Sequence, residues 1–157
     1  MTQPFLIGEG WIEVRDGDAS ARAMFERHYS AQRNLLRRRA RRTKLIVGPG
    51  FKLVLIRADA ASVCAWRKAI RDDGQTGVEC TVYRREQGEL ASDLLRSAMA
   101  IVWDRWPGER LFTFVDPMLV KPTIRTGRPT WGHCFYLAGW RFAGISKKRF
   151  HILEATP

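Results

Sequence analysis

The succession of hydrophobic patterns along the chain constrains its fold more than any other feature of the sequence. Runs with strand composition lie close together at 52–57, 63–68 and 78–84, and their spacing predicts an antiparallel meander. Apolar residues then recur at three- and four-residue intervals from 91 to 106, which predicts an amphipathic helix. The near-continuous apolar run 111–115 is typical of a buried parallel strand. The sequence therefore predicts a mixed α/β fold.

Shorter elements complete this order. A strand is predicted at 11–14 and a helix at 18–29, for which Asp18 or Ser20 provides the N-cap. No repeat, low-complexity tract or linker interrupts the 157 residues, so residues 1–157 are predicted to form a single domain. The second half is completed by a Pro- and Gly-rich loop at 117–132, a short helix at 134–138 that stops at Gly139, and a closing hairpin with strands at 141–145 and 149–153.

The balance of charged residues is strongly positive. Lys and Arg number 27 against 16 Asp and Glu, a formal net charge of +11. Such an excess points to a polyanionic partner, nucleic acid first and a membrane surface second. The three cysteines include no CxxC pair, which argues against a disulfide framework and a zinc knuckle. Because the sequence has neither a signal-peptide pattern nor an apolar run of about 18 residues, we expect a cytoplasmic protein with no membrane association.

The positive charge is concentrated in one segment. Residues 33–44 carry seven positive charges and no acid. In a helix, arginines four residues apart repel one another unless an anion lies against them, and phosphates are the natural counterpart. The alternative is a solvated, partly disordered loop. A second basic loop, which contains Lys121, Arg125 and Arg128, is expected to form another side of the nucleic-acid-binding surface together with Trp131. There an unpaired base stacks. The predicted nucleic-acid-binding residues are Arg33, Arg37, Arg38, Arg39, Arg41, Arg42, Lys121, Arg125 and Arg128.

A Gly-containing turn precedes the long helix. Such a turn presents backbone N–H groups and the positive end of the helix dipole, which together bind a pyrophosphate. The alternative is an ordinary helix start capped by Ser92 or Asp93. The predicted cofactor-binding residues are Arg85, Gln87, Gly88, Ala91 and Ser92.

The order of these elements resembles the GNAT N-acyltransferase superfamily over nearly the whole chain. The stretch ECTVYRREQGELASDLL is similar to that family's fourth strand, cofactor loop and following helix, and CFYLAGWRFAGISKKRFHILE to its closing segment. The resemblance implies a mixed, mostly antiparallel central sheet with helices on both faces, and a donor that is acetyl-CoA or another activated acyl group. Of the family's Q/R-x-x-G-x-G/A motif, Arg85 and Gly88 fit, whereas Leu90 replaces the final small residue and Ala91 follows one place late.

A narrower resemblance is to phage Mom-type DNA-modification proteins, a GNAT branch that alters the exocyclic amine of adenine. Three short pieces carry it: His28-Tyr29-Ser30, Ser92 at the start of the central helix, and Phe114-Val115-Asp116-Pro117 after the buried strand. This resemblance implies an acyltransferase-like enzyme that modifies a base amine in DNA.

Acyl transfer to an amine needs a base, an oxyanion partner and a proton for the leaving group. Asp116 follows a buried strand, where open α/β sheets place their ligands, although an Asp-Pro turn explains it equally. His28 has an ordinary pKa near about 6.5 that suits a base, but a histidine at a helix end is also a common cap. The catalytic candidates are His28, Tyr29, Glu79, Ser92 and Asp116. Glu79 can also be interpreted as a solvated strand residue, and Tyr29 as a core aromatic.

No residue is predicted as the leaving-group acid. Phe135 occupies the position where GNAT enzymes often carry tyrosine, and Tyr136 lies about 100° further around the helix. The adjacent His133 and Cys134 lack a second pair of ligands, so no metal is predicted. Two alternative functions are a GNAT acetyltransferase that uses acetyl-CoA on a protein or small-molecule amine, and a non-catalytic nucleic-acid-binding module with a GNAT fold.

Overall fold

The structure is a computed structural model that describes residues 5–7, 10–32 and 35–157, with the backbone alone for 5–7, 30 and 32. The chain divides into two compact units. Unit 1 comprises residues 1–75 and 80–88, and unit 2 comprises residues 76–79 and 89–157.

Unit 1 is built on strands that lie side by side in chain order. The strands are β1 (Phe5–Ile7), β2 (Trp11–Val14), β3 (Phe51–Arg57), β4 (Ser62–Lys68) and β5 (Val78–Arg85). The pairs β1–β2, β2–β3 and β3–β4 are antiparallel, which confirms the predicted meander for its first two runs. The next strand, β5, contributes its residues from Cys80 onward to this unit.

The described residues of unit 1 also form three short helices: α1 (Ala19–Glu26), α2 (Tyr29–Gln32) and α3 (Leu35–Ala40). Asp18 is the N-cap of α1, as predicted, and its Oδ1 accepts a hydrogen bond from the Ala21 N–H at 3.0 Å. The prediction of one helix over 18–29 was wrong, because α1 ends at Glu26 and α2 begins at Tyr29.

The core of unit 1 lies between α1 and one face of the strands. Met24 and Phe25 of α1 pack in one buried cluster with Val54 of β3 and with Val63 and Ala65 of β4. Residues two apart in a strand share a face, so Val63 and Ala65 reach this cluster together. The alternation places Arg67 on the same face of β4.

Unit 2 contains the parallel pair that the apolar run predicted. The first two residues of β5 pair in parallel with β6 (Leu111–Val115), Val78 with Leu111 and Glu79 with Phe112. The last strand, β10 (His151–Ala155), lies between β6 and β9 (Arg141–Ile145) and is antiparallel to both. The fold is therefore mixed α/β with a mostly antiparallel sheet.

The two helices of unit 2 follow the sequence signals closely. Helix α4 (Ala91–Arg105) buries an apolar stripe that includes Leu95, Ala98 and Val102. Helix α5 (His133–Leu137) precedes Gly139, whose φ of +94° is left-handed and favours glycine. No helix within the described part of the chain is long and apolar enough to cross a membrane.

Two predictions for unit 2 were wrong. The segment predicted as a loop contains the hairpin β7 (Thr123–Arg125) and β8 (Arg128–Thr130), joined by Thr126 and Gly127 with φ of +48° and +77°. Threonine is not the usual residue at the first of these positions, so the turn gave no clear sequence signal. The final strand begins at 151 rather than 149, because Arg149 has a left-handed φ of +69° in the preceding turn.

Candidate nucleic-acid interface and catalytic residues

The arginine-rich segment forms only a short helix. Arg37, Arg38 and Arg39 lie in α3, whereas Arg41 and Arg42 follow it in a turn where Arg42 has φ +52°. The Arg41 N–H donates to the Arg37 carbonyl oxygen at 3.0 Å, so these two arginines keep the four-residue spacing of a helix, whereas Arg42 leaves it. Arg33 lies outside the described residues.

Most of these arginines face solvent. The side chains of Arg37, Arg39, Arg41 and Arg42 are exposed. None of the four forms an ion pair with a described acid, whereas ion pairs occupy arginines elsewhere in unit 1. Their charge is thus directed to solvent and to any anion that approaches from it.

Arg38 differs from its neighbours in its surroundings, and its predicted nucleic-acid binding stays a prediction. It is half-buried, with its Cζ 4.6 Å from the centre of the Phe25 ring. Its Nη1 donates to the Leu45 carbonyl oxygen at 3.1 Å. One residue turns a helix by about 100°, which directs Arg38 toward the core while Arg37 and Arg39 point outward.

His28 and Tyr29 lie at the break between α1 and α2, with ring centres 4.4 Å apart. Burial lowers the pKa of His28 to about 4, and the positive charge of Arg84 acts in the same direction. A hydrogen bond with the Tyr83 backbone opposes both effects. The imidazole is therefore neutral at pH 7 and a weak base, in contrast to the ordinary pKa assumed from the sequence.

Beside His28 lies an ion-pair cluster that sequence reasoning missed. Glu86 accepts hydrogen bonds from Arg27 Nε at 2.6 Å and Arg27 Nη2 at 2.5 Å, and from Arg84 Nε at 2.8 Å. The hydrogen bond from Arg27 is the main reason that the pKa of Glu86 falls to about 2. This cluster joins the end of α1 to the end of β5. No sequence pattern relates Arg27 to Glu86, because 59 residues separate them.

The predicted cofactor turn in unit 1 carries negative as well as positive groups. Gly88 has φ +100°, and Arg85 Nη1 donates to its carbonyl oxygen at 3.4 Å. A Cβ at Gly88 would lie 3.6 Å from the Asp59 carboxylate oxygen, so an acid stands directly beside the turn. Gln87 is exposed. A carboxylate at this distance disfavours a second anion such as a pyrophosphate.

The start of α4, in unit 2, lacks the predicted cap. Its N-cap residue is Leu90, which makes no side-chain cap hydrogen bond. Ser92 is buried, and Asp93 pairs with Arg96 at 3.0 Å. The alternative that Ser92 or Asp93 caps the helix was therefore wrong. Half-buried Ala91 begins the helix.

Asp116 lies in a tight turn after β6. It is buried, and its Oδ1 accepts a hydrogen bond from the Met118 N–H at 2.9 Å. Its carbonyl oxygen accepts from the Leu119 and Val120 N–H groups at 3.1 and 3.0 Å. These contacts give Asp116 a role in the turn, and a catalytic role remains a prediction. Glu79 is half-buried in β5, opposite Phe112.

An aromatic group lies at the same end of β6 in unit 2. His151 pairs with Val115, the residue before Asp116, and its ring lies 5.0 Å from Trp131 and 5.3 Å from Phe142. The indole N–H of Trp131 is buried and has no hydrogen-bond acceptor among the described residues. Trp131 therefore lies in a group of rings that the sequence did not suggest, and its stacking on a base stays a prediction.

The basic hairpin of unit 2 is partly engaged with neighbouring side chains. Lys121 and Arg128 are exposed, whereas Arg125 lies over the Tyr136 ring at 5.1 Å. Burial raises the pKa of Tyr136, with the charge of Arg125 opposing it, so Tyr136 is a poorer proton donor than free tyrosine. Phe135 is buried. The structure thus identifies no leaving-group acid at these two positions.

The predicted site residues are shared between the two units. Unit 1 holds His28, Tyr29, Arg85, Gln87, Gly88 and the described arginines of 37–42, and unit 2 holds Glu79, Ala91, Ser92, Asp116, Lys121, Arg125 and Arg128. Among the described residues, no three His, Cys, Asp or Glu side chains lie together as metal ligands do. Comparisons with protein families, curated proteins and solved structures found nothing that matches this chain.

Proposed function

We propose that this protein binds DNA and is an acyltransferase-like enzyme that modifies a base amine. The observation that carries the proposal is the exposed group Arg37, Arg39, Arg41 and Arg42, which has no acidic partner among the described residues. Arginine binds phosphate through bidentate forks, and DNA presents phosphates at close, regular spacing. A net charge of +11 adds a general attraction for a polyanion.

The order of strands supports a GNAT-like enzyme as the catalytic part of the proposal. Unit 1 supplies a run of neighbouring strands ending in β5, and unit 2 pairs the start of β5 in parallel with β6 and adds β10 and β9. This order agrees with the resemblance that suggested acyl transfer. The reaction forms an amide bond to the base amine, breaks the bond between acyl group and donor, and releases one amine proton.

The residues of the cofactor turn do not fit the pyrophosphate of acetyl-CoA. Asp59 lies beside Gly88, Asp93 places a negative charge in the first turn of α4, and the bulky Leu90 occupies the N-cap. These features also disfavour the alternative of an acetyltransferase that uses acetyl-CoA on a protein or small amine. We therefore propose that the donor is another activated acyl group.

Glu79 and Asp116 stand beside His28 as candidates for accepting the amine proton. A pKa of about 4 removes the advantage that an ordinary histidine has as a base near pH 7. The alternative of a non-catalytic nucleic-acid-binding module is favoured by one observation, the engagement of Asp116 in its own turn. A test of function must therefore separate binding from chemistry.

Binding is tested by a charge-matched pair of double variants. Arg37→Ala with Arg39→Ala removes two exposed cations from α3, and Lys147→Ala with Lys148→Ala removes two from the turn before β10. Losing two phosphate contacts lowers the slope of log K against log salt by about 1.8. We expect this change, and an affinity loss of at least about tenfold, only in the arginine variant. Equal effects in both variants would remove the arginine segment from the proposal.

Chemistry is tested by mass analysis of nucleosides from DNA of cells that express the protein. A base with added acyl mass supports the enzyme. If Asp116→Asn still binds DNA but gives no modified base, that result supports a catalytic carboxylate. Unmodified nucleosides despite good expression and DNA binding support the non-catalytic module instead.

A further inference from the structure

Arg38 holds its guanidinium in a fixed position while leaving one edge without an acceptor. Nη1 is bonded to the Leu45 carbonyl and the Phe25 ring lies under the group. Its Nε and Nη2 are buried from solvent and have no hydrogen-bond partner among the described residues. Leaving buried N–H groups of a charged side chain unbonded is costly, so this arrangement calls for an acceptor.

The unbonded edge is the one that other arginines of this chain use to bind oxyanions. Arg27 binds both carboxylate oxygens of Glu86 through Nε and Nη2, at 2.6 and 2.5 Å. Arg71 binds Asp73 through the same two nitrogens, with distances from 2.5 to 3.1 Å. The matching acceptor for Arg38 is therefore a planar or tetrahedral oxyanion with two oxygens in reach.

A second arginine with an unbonded buried N–H lies along the same short segment. Arg67 Nε is buried and has no acceptor among the described residues. Its guanidinium lies against Gly48, since a Cβ there would be 2.7 Å from Nη1. Leu45, which holds Arg38, precedes Gly48 by three residues, a span of at most about 11 Å.

Asp16, which lies against this segment, already has hydrogen-bond and ion-pair partners. Asp16 accepts hydrogen bonds from the Ile46 and Val47 N–H groups at 2.7 and 3.1 Å, and pairs with Lys52 at 3.0 Å. One carboxylate with three donors does not neutralise two further guanidinium groups. The segment 45–48 of unit 1 thus lies beside two arginines whose buried N–H groups have no acceptor among the described residues.

We propose that Arg38 and Arg67 form a phosphate-binding site along residues 45–48, and that its ligand is a phosphodiester of the DNA backbone. The choice of DNA rests on the proposed function, because Arg37 and Arg39 flank Arg38 and draw the same polyanion. Both nitrogens of this edge are covered in the unbound protein, so binding requires the covering groups to move aside. Arg38 then holds one phosphate through its Nε–Nη2 edge, which fixes the position of the strand, whereas the exposed arginines attract it without fixed geometry.

Two charge-conserving variants test the site. Arg38→Lys keeps the positive charge and removes the fork, and Arg37→Lys makes the same change at an exposed neighbour. We expect Arg38→Lys to weaken binding of short duplex DNA by at least about tenfold with an unchanged salt slope, and Arg37→Lys to change affinity less than about twofold. Wild-type affinity in Arg38→Lys, or an equal loss in Arg37→Lys, would overturn the site.

Gly48→Ala provides a second variant if Arg38→Lys does not fold. Gly48 lacks a left-handed φ, so alanine suits its backbone, but the added Cβ displaces the Arg67 guanidinium without changing any charge. We expect weaker DNA binding, by about threefold or more, at an unchanged salt slope. Wild-type affinity in folded Gly48→Ala would remove Arg67 from the site.

Inorganic phosphate separates this site from the proposed function. Phosphate should raise the melting temperature of the wild-type protein more than that of Arg38→Lys, since a ligand stabilises the state that binds it. General salting effects act on both proteins equally. If phosphate stabilises the wild type more than Arg38→Lys but the protein binds no DNA, the phosphate site stands and DNA is not its ligand. DNA binding that is identical in both proteins, with equal phosphate shifts, overturns the site and leaves DNA binding intact.

Discussion

The buried imidazole of His28 predicts how the stability of the protein depends on pH. Burial and the charge of Arg84 hold its pKa at about 4 in the folded state, against an ordinary value of 6.5. Between these two values the unfolded chain binds a proton that the folded chain does not. The stabilising contribution is therefore complete above pH 6.5 and is lost as the pH falls toward 4.

The magnitude follows from the two pKa values. The full difference between 6.5 and about 4 corresponds to about 3 kcal/mol, at about 1.4 kcal/mol for each pH unit. Between pH 7 and pH 5 the linkage relation gives a loss of about 2 kcal/mol in the free energy of unfolding. This interval also lies above the ordinary pKa values of Glu86 and Asp73, 4.5 and 3.8, which fall to about 2 in the folded protein, so these acids contribute little to it.

Urea unfolding at pH 5, 6 and 7 measures this loss. Wild type should lose about 2 kcal/mol, whereas His28→Gln, which has no proton to gain, should lose much less. His133→Gln removes an exposed histidine and should keep the wild-type dependence. The reasoning is refuted if His28→Gln follows the wild-type curve, or if an NMR titration places the His28 midpoint near 6.5.

Three further predictions concern stability and are checked by the same unfolding measurement. Asp18→Ala removes the cap of α1 and should cost about 1 kcal/mol, while Asp93→Ala, an exposed residue in an i, i+3 pair, should cost less than about 0.5 kcal/mol. Gly77→Ala should cost at least about 3 kcal/mol, because its Cβ would overlap the Arg110 carbonyl oxygen, whereas Gly74→Ala, equally left-handed but in open space, should cost about 1–2 kcal/mol. Asp116→Asn should cost about 1 kcal/mol because a neutral amide oxygen is a weaker acceptor for the Met118 N–H, and no loss would contradict the turn role.

Local signals predicted elements best. Asp18 precedes the apolar positions of α1 and caps it, and the three- and four-residue spacing of Leu95, Ala98 and Val102 gave the buried stripe of α4. The run 111–115 was predicted as a parallel strand because it is apolar at nearly every position, and it pairs in parallel with β5. Each of these signals is carried by residues that lie close together in the sequence.

Contacts between distant residues could not be predicted in this way. The separation of α1 from α2 places His28 beside Arg84, and the Arg27–Glu86 pair crosses 59 residues. The contact of Arg38 with the Phe25 ring is a further example, because it depends on how α3 packs against α1. The chemistry of the candidate site depends on such contacts, which explains why the pKa of His28 and the burial of Arg38 were not anticipated.

The distribution of acids favours one of two explanations of the positive charge. If the arginines served only solubility, acids would be interspersed with them and any two exposed cations would be equivalent. Instead, acids such as Asp16, Asp73 and Glu86 are held in ion pairs, and the segment 33–44 contains none. The excess charge is thus concentrated in one segment, as the proposed binding of a polyanion requires. For that reason the arginines of α3 and the lysines before β10, equal in charge, should differ in their effect on DNA binding.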